Sequence, residues 1–271
     1  MGEQVQHPAN HGKRLRLVRA TYWFTKHWLS LFVVIFGLYN LLPFTAPVMM
    51  RLGWSSLGSV IYDLYGTQCH QMAQRSFFLF GERLMYNLNE LPLKLTGNSL
   101  NDTLALRNFR GNENLGWKVA WSDRMVYMYG VLWVVSVVYG LASRERATKP
   151  VRVWIFIALL LPLGIDGLTH FVSDTGGLAT GFRYDNDWLA AVTNNSLPAS
   201  FYQGDALGSF NSIMRFVTGV LFAIGTGGLL LPLLDQEMRR IEATLIRKLT
   251  RYETRIGSAV EAGLYRDVTW D

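Results

Sequence analysis

Four apolar runs, each close to or longer than the roughly 20 residues that cross about 30 Å of hydrocarbon, divide the chain. Residues 28–50 contain no charge at all, and residues 125–142, 153–172 and 212–234 are interrupted by only a few polar groups. One such run would suit the buried helix of a soluble domain. Four of them with basic flanks predict an all-α, multi-pass transmembrane helical bundle. The first run begins late, is too long for the apolar core of a signal peptide and is followed by no small-residue cleavage site, so it is read as a retained first helix.

The stretch 55–88 fits this pattern least well. Its two apolar pieces, 55–66 and 76–88, are each only about a dozen residues and are separated by Cys69-His70-Gln71. Runs of that length predict a short or re-entrant helix pair or an interfacial pair, and a tightly packed fifth and sixth crossing stays open. Residues 235–262 have a different character. Ile241, Leu245, Leu249, Tyr252 and Ile256 recur at three- and four-residue spacing among arginines, which predicts an amphipathic C-terminal helix lying along the membrane interface, with a partner-binding helix as the rival.

Charge orients the bundle. Of the net +6, much is concentrated in three segments: Lys13, Arg14, Arg16, Arg19 and Lys26; Arg144, Arg146, Lys149 and Arg152; and Arg239, Arg240, Arg247, Lys248, Arg251 and Arg255. Four crossings put all three on one side, which the positive-inside rule makes the cytoplasm of a prokaryotic inner membrane. The expected organisation is a basic cytoplasmic arm (1–27), a membrane domain (28–234) with extracytoplasmic loops at about 51–122 and 174–206, and a basic cytoplasmic C-terminal segment (235–271). The positive balance then reflects topology and attraction to anionic lipid, and no nucleic-acid recognition motif is visible.

This topology brings scattered polar residues together. An ionisable side chain costs roughly 2.5–3.5 kcal/mol at the bilayer centre, so those within or beside the runs are candidates for function. His70, Gln71 and Arg75 fall in the first outer loop, Arg124 and Tyr127 begin the second long helix, Asp166 and His170 end the third, and Asn211 and Arg215 begin the fourth. Asp166 with His170, and Asn211 with Arg215, are four apart and share a helix face, as do Arg124 and Tyr127 at three. Gly164, Gly167, Gly208 and Gly219 are expected to permit close helix approach. One polar cup near the outer leaflet is the predicted result.

The order Cys69-His70-Gln71, then Arg75-Ser76, Arg124 at a helix start, Asp166-Gly167-Leu168-Thr169 before a polar residue, and Asn211 with Arg215 resembles the uncharacterised prokaryotic membrane family catalogued as domain of unknown function 2085. The resemblance covers about 65–232. It implies a shared fold of several membrane helices and carries no established chemistry. The family pattern has Cys where this chain has Ser122 and usually Gln where it has His170. Cys69 is the sole cysteine, so no disulfide forms within the chain.

In the cup, Gln71, Arg75, Arg124, Tyr127, Asn211 and Arg215 are the candidate ligand-binding residues, the guanidinium forks suiting phosphate or carboxylate. Their structural alternative is to pair with Asp63, Asp123 and Asp166. His70, Asp166 and His170 are the candidate acid–base groups. No tight metal-binding motif is present. Two functions fit. One is a cavity that binds, and in its fuller form processes, an anionic amphiphile such as a phospholipid or polyprenyl phosphate. The other is a non-catalytic accessory subunit of a larger bioenergetic or photosynthetic-type membrane complex, contacting other subunits through the outer loop and C-terminal helix.

Overall fold

The computed structural model describes residues 8–143 and 148–261. Its helices and strands run α1 (Pro8–Arg51), α2 (Ser55–Gly66), β1 (Ser76–Leu79), α3 (Ser99–Asn108), β2 (Gly111–Asn112), β3 (Gly116–Ser122), α4 (Asp123–Ala142), α5 (Val153–Thr175), the short α6 (Phe182–Asp185), α7 (Asp187–Val192) and α8 (Ala199–Tyr202), and α9 (Phe210–Glu261). Among the described residues four helices, α1, α4, α5 and α9, are long and apolar enough to cross a membrane.

α9 is the centre of the bundle and packs against α4, α5 and α1, while α1 also packs on α4. Small residues make these contacts close. A side chain at Gly227 would meet Val135 at 2.5 Å, one at Gly219 would meet Tyr127 at 3.0 Å, and one at Gly37 would meet the Trp133 ring at 2.8 Å. Gly164 and Gly208, expected to serve the same purpose, have nothing within 4 Å. The outward faces stay apolar: Trp154, Ile157, Leu161 and Leu168 of α5 are all more than half exposed, at helical spacing. An apolar surface of this extent suits lipid and not water.

The helices alternate in direction. At one end the starts of α4 and α9 meet the end of α5, through Arg215 with Asp123 and Arg124 with Asp166. At the other, Tyr139 donates to Asp235, Arg239 donates to the Ser143 carbonyl, and the Val151 N–H reaches the Gly228 carbonyl.

A cap formed by residues 52–122 and 176–209 covers the first end. It contains an antiparallel sheet in the order β1-β3-β2, with Phe78 opposite Lys118 and Ser76 opposite Ser122. Its cores are a cluster of Phe78, Tyr86, Leu88, Leu106 and Leu178, and a second of Tyr62, Tyr65, Val119 and Trp121 against Ala46 of α1. Most of the fully buried large side chains lie here, because the long helices turn many of their apolar residues outward.

Two expectations are corrected. Residues 55–88 form one α-helix, α2, then a single 3-10 turn at Ala73–Arg75 and a strand; there is no pair of α-helices, and the 12 residues of α2 are too short to cross a membrane. Phe77 and Phe78 favour a strand, and the β2–β3 turn gives it a partner: Gly116 takes φ +76°, where a side chain would also strike the Leu79 carbonyl at 2.3 Å. The C-terminal segment is not a separate helix either, but the continuation of the last span. α9 runs unbroken for 52 residues, about 78 Å at 1.5 Å per residue. After Pro232 no proline or glycine interrupts it until Gly257, and the Arg239–Asp235 pair braces it. Arg144 and Arg146, assigned to the cytoplasmic link, lie outside the described residues.

Candidate functional site

A cavity of about 600 Å³ opens where the loop after α2 meets the first turn of α4 and the last turns of α5. Its polar wall includes His70, Arg75, Asp123, Arg124, His170, Asp174 and Arg215, and its apolar wall includes Leu100, Met125 and Phe171. Leu100 and Phe171 are 69% and 68% exposed, so the apolar side faces outward.

Local sequence sets up the charges. Asp123 is in the first turn of α4, where a carboxylate complements the helix dipole, and its Oδ1 accepts the Arg124 N–H at 2.7 Å. Asp166, His170 and Asp174 follow one another at four-residue intervals along one face of α5.

The ion pairs form two groups. In the larger, Asp123 Oδ2 accepts from Arg215 Nε at 2.7 Å, and Arg215 gives Nη1 and Nη2 to the side chain and carbonyl of Asp205, each at 2.7 Å. Asp205 Oδ2 accepts from Arg75 Nε at 2.8 Å, and Arg75 grips Asp174 with both terminal nitrogens at 2.7 and 2.8 Å. That chain of three carboxylates and two guanidiniums is short of one positive charge. Burial alone would raise the pKa of Asp205, but Arg75 and Arg215 hold it well below the usual carboxylate range. Burial acts to lower the pKa of Arg75, and Asp205 and Asp174 reverse this and leave it raised.

The smaller group has the opposite imbalance. Arg124 Nη2 and Arg183 Nη2 each donate to Asp166 at 2.7 Å, giving two guanidiniums for one carboxylate. Arg183 is buried, lies over the Phe210 ring at 5.3 Å, and leaves Nε without a partner. Arg124 is the more open cation, with 23% of its side chain exposed at the cavity.

Of the candidate acid–base groups, His170 is 4% exposed and Arg183 Nη2 lies 3.1 Å from its Nε2. A guanidinium only donates, so Nε2 accepts and the ring proton sits on Nδ1, which is buried without a partner. That arrangement suits a fixed polar wall better than a proton carrier. Asp166 is held by both arginines behind the wall, and His70 is exposed at the cavity.

The candidate binding residues divide. Arg75, Arg124 and Arg215 line the cavity together. Gln71 also reaches its wall, but at φ 52° and with its amide donating to the Tyr62 and Ala120 carbonyls it fastens the loop to β3. Asn211 donates to the carbonyls of Arg183 and Gly204 and Tyr127 packs edge-on against Phe77 and Phe216; neither lines the cavity. Of the expected carboxylate partners, Asp123 pairs with Arg215 and Asp166 with Arg124, whereas Asp63 is exposed and pairs with Arg110 at 3.2 Å, and Asp205 joins as a further partner of Arg215. Cys69 Sγ lies 3.3 Å from Ser122 Oγ, so two positions 53 residues apart meet at the wall.

Asp174, Arg183, Asp205 and Lys118 are not among the candidates that the sequence pattern marks. Asp174 carried a signal, as the next step of the four-residue series on α5. Lys118 is fully buried in β3, and its ammonium reaches the carbonyls of Gln71, Leu106 and Arg107 at 2.6, 3.3 and 2.7 Å.

No protein-family model matches the chain, and no solved structure matches it. An uncharacterised protein of Methanocaldococcus jannaschii is 24% identical to it over 176 residues, 62% of this chain and 88% of that protein.

Proposed function

We propose that this chain is a membrane protein of the prokaryotic inner membrane whose outer-leaflet cavity binds an anionic amphiphile such as a phospholipid or polyprenyl phosphate. Membership of the domain-2085 family is part of the proposal and rests on the motif. One observation carries the reading. Arg124 is the open cation of a group with excess positive charge, and it stands in the same cavity as the outward-facing Leu100 and Phe171. A phosphate or carboxylate head would take the guanidinium, and its tail would follow the apolar wall toward lipid. The locked His170 favours binding over processing. Arg75 and Arg215 keep their carboxylates and shape the cavity, leaving Arg124 as the cation for the head group.

Arg124→Gln tests this. Asp166 keeps Arg183, so the variant is expected to fold, with a loss of about 1 kcal/mol, while phosphate-containing lipid retained through purification falls at least tenfold. Lipid phosphorus and mass spectrometry measure the second quantity, and unchanged lipid content in a folded variant would sink the reading.

The sidedness belongs to the same proposal. Cys69 is expected to react with an impermeant thiol reagent from the periplasmic side, whereas a cysteine at position 247 reacts only after the inner membrane is opened. The reverse order would invert the topology.

A second reading, an accessory subunit of a larger membrane complex, is favoured by the length of α1 and α9, 44 and 52 residues against the roughly 20 that a crossing needs.

A further inference from the structure

At the end of the bundle remote from the cavity, a cleft of about 880 Å³ lies between the first turns of α1 and the last described turns of α9. Leu15 and Leu245 are buried where the helices run together. Among the described residues that line the cleft, α9 contributes three cations, Arg247, Lys248 and Arg251, and no acid. Its apolar side consists of Leu17, Val18, Ile246 and Tyr252, of which Leu17 is 68% and Ile246 45% exposed.

Several occupants are disfavoured on physical grounds. With apolar spans ending near residues 28 and 234, Arg14 and Arg247 stand about 20 Å beyond them at 1.5 Å per residue, past a headgroup layer some 5–8 Å deep. The bilayer therefore does not cover the cleft. A second copy would set the same three cations of α9 against themselves. A nucleic acid would neutralise the rim but leave the exposed leucine and isoleucine without a partner. An amphipathic helix with an acidic border satisfies both, placing apolar residues at three- and four-residue spacing on the floor and carboxylates along the rim.

We propose that this cleft docks an acidic amphipathic helix of a partner protein, which becomes the third helix of a short bundle with α1 and α9. The proposal deepens the accessory-subunit reading on which it rests, and it stands whether or not the outer cavity holds lipid.

The test uses the full chain in detergent and a fluorescent helical peptide of about 21 residues with leucines on one face and glutamates elsewhere. Controls are a scrambled peptide of identical composition and a DNA duplex. Micromolar binding of the helix is expected, at least tenfold tighter than either control. A tenfold loss is expected in Leu17→Ser with Ile246→Ser, and in Arg247→Glu with Arg251→Glu, each at unchanged melting temperature. No binding, equal binding of the scrambled peptide or DNA, or folded variants that bind like the wild type would each overturn the docking site. Were a variant to misfold, the comparison of peptides on the wild-type protein still decides. Lipid content measured in the same samples reports separately on the cavity.

Discussion

Replacing Arg215 with methionine is expected to destabilise the protein by about 3–5 kcal/mol, the cost of breaking a buried ion pair from one side. Methionine keeps most of the volume, so the loss is electrostatic. Arg215 is 1% exposed and spends Nε on Asp123 and its other nitrogens on Asp205. Asp205 would still have Arg75, but Asp123, with no exposure at all, would be left with the Arg124 N–H. Asp123→Asn should therefore restore about 1–3 kcal/mol to the Arg215→Met protein. Asp166→Asn should restore nothing, because Asp166 belongs to the other group of ion pairs. Membrane abundance and thermal unfolding of the two double variants measure this. Recovery with Asp166→Asn, or none with Asp123→Asn, would show that the two groups do not act separately.

The residues that formed these groups were partly legible in the sequence, and the boundary has a physical cause. Hydropathy exposes any charge within an apolar run, so Arg124, Asp166, His170 and Arg215 stood out, and helical periodicity put Asp166 and His170 on one face. Asp205 and Arg183 lie in Gly- and Asn-rich connections where a charge is ordinary, and only the packing of the cap gives Asp205 two arginines. The same limit applies to β1. Ser76-Phe77-Phe78-Leu79 reads equally well as apolar helix or strand, and its choice depends on β3 some 40 residues later, a non-local pairing invisible to local pattern. Lys118 was hidden for a related reason. A lysine inside Gly116–Ser122 reads as the solvent side of a strand until the register turns it inward toward the end of α3.

That inward turn makes the stability of the cap depend on pH. Burial drives the pKa of Lys118 down to about 7; Cys69 acts to raise it, while Arg110 and Arg107 lower it further. In the unfolded chain the amine returns to the ordinary lysine range near 10.4. Between those values the unfolded state binds more protons, so folding stability from this group rises with pH, by at most a few kcal/mol. Lys118→Met removes the titration and leaves the carbonyls of Gln71, Leu106 and Arg107 without this donor, at about 1–3 kcal/mol for each one left unsatisfied. The variant is thus expected to melt well below the wild type at pH 7, and the gap to widen toward pH 10, as followed by tryptophan fluorescence in detergent. A gap that narrows over that range would mean that the three carbonyls hold the ammonium protonated against burial, and that Lys118 is a permanent charged tie between α3 and the loop of His70.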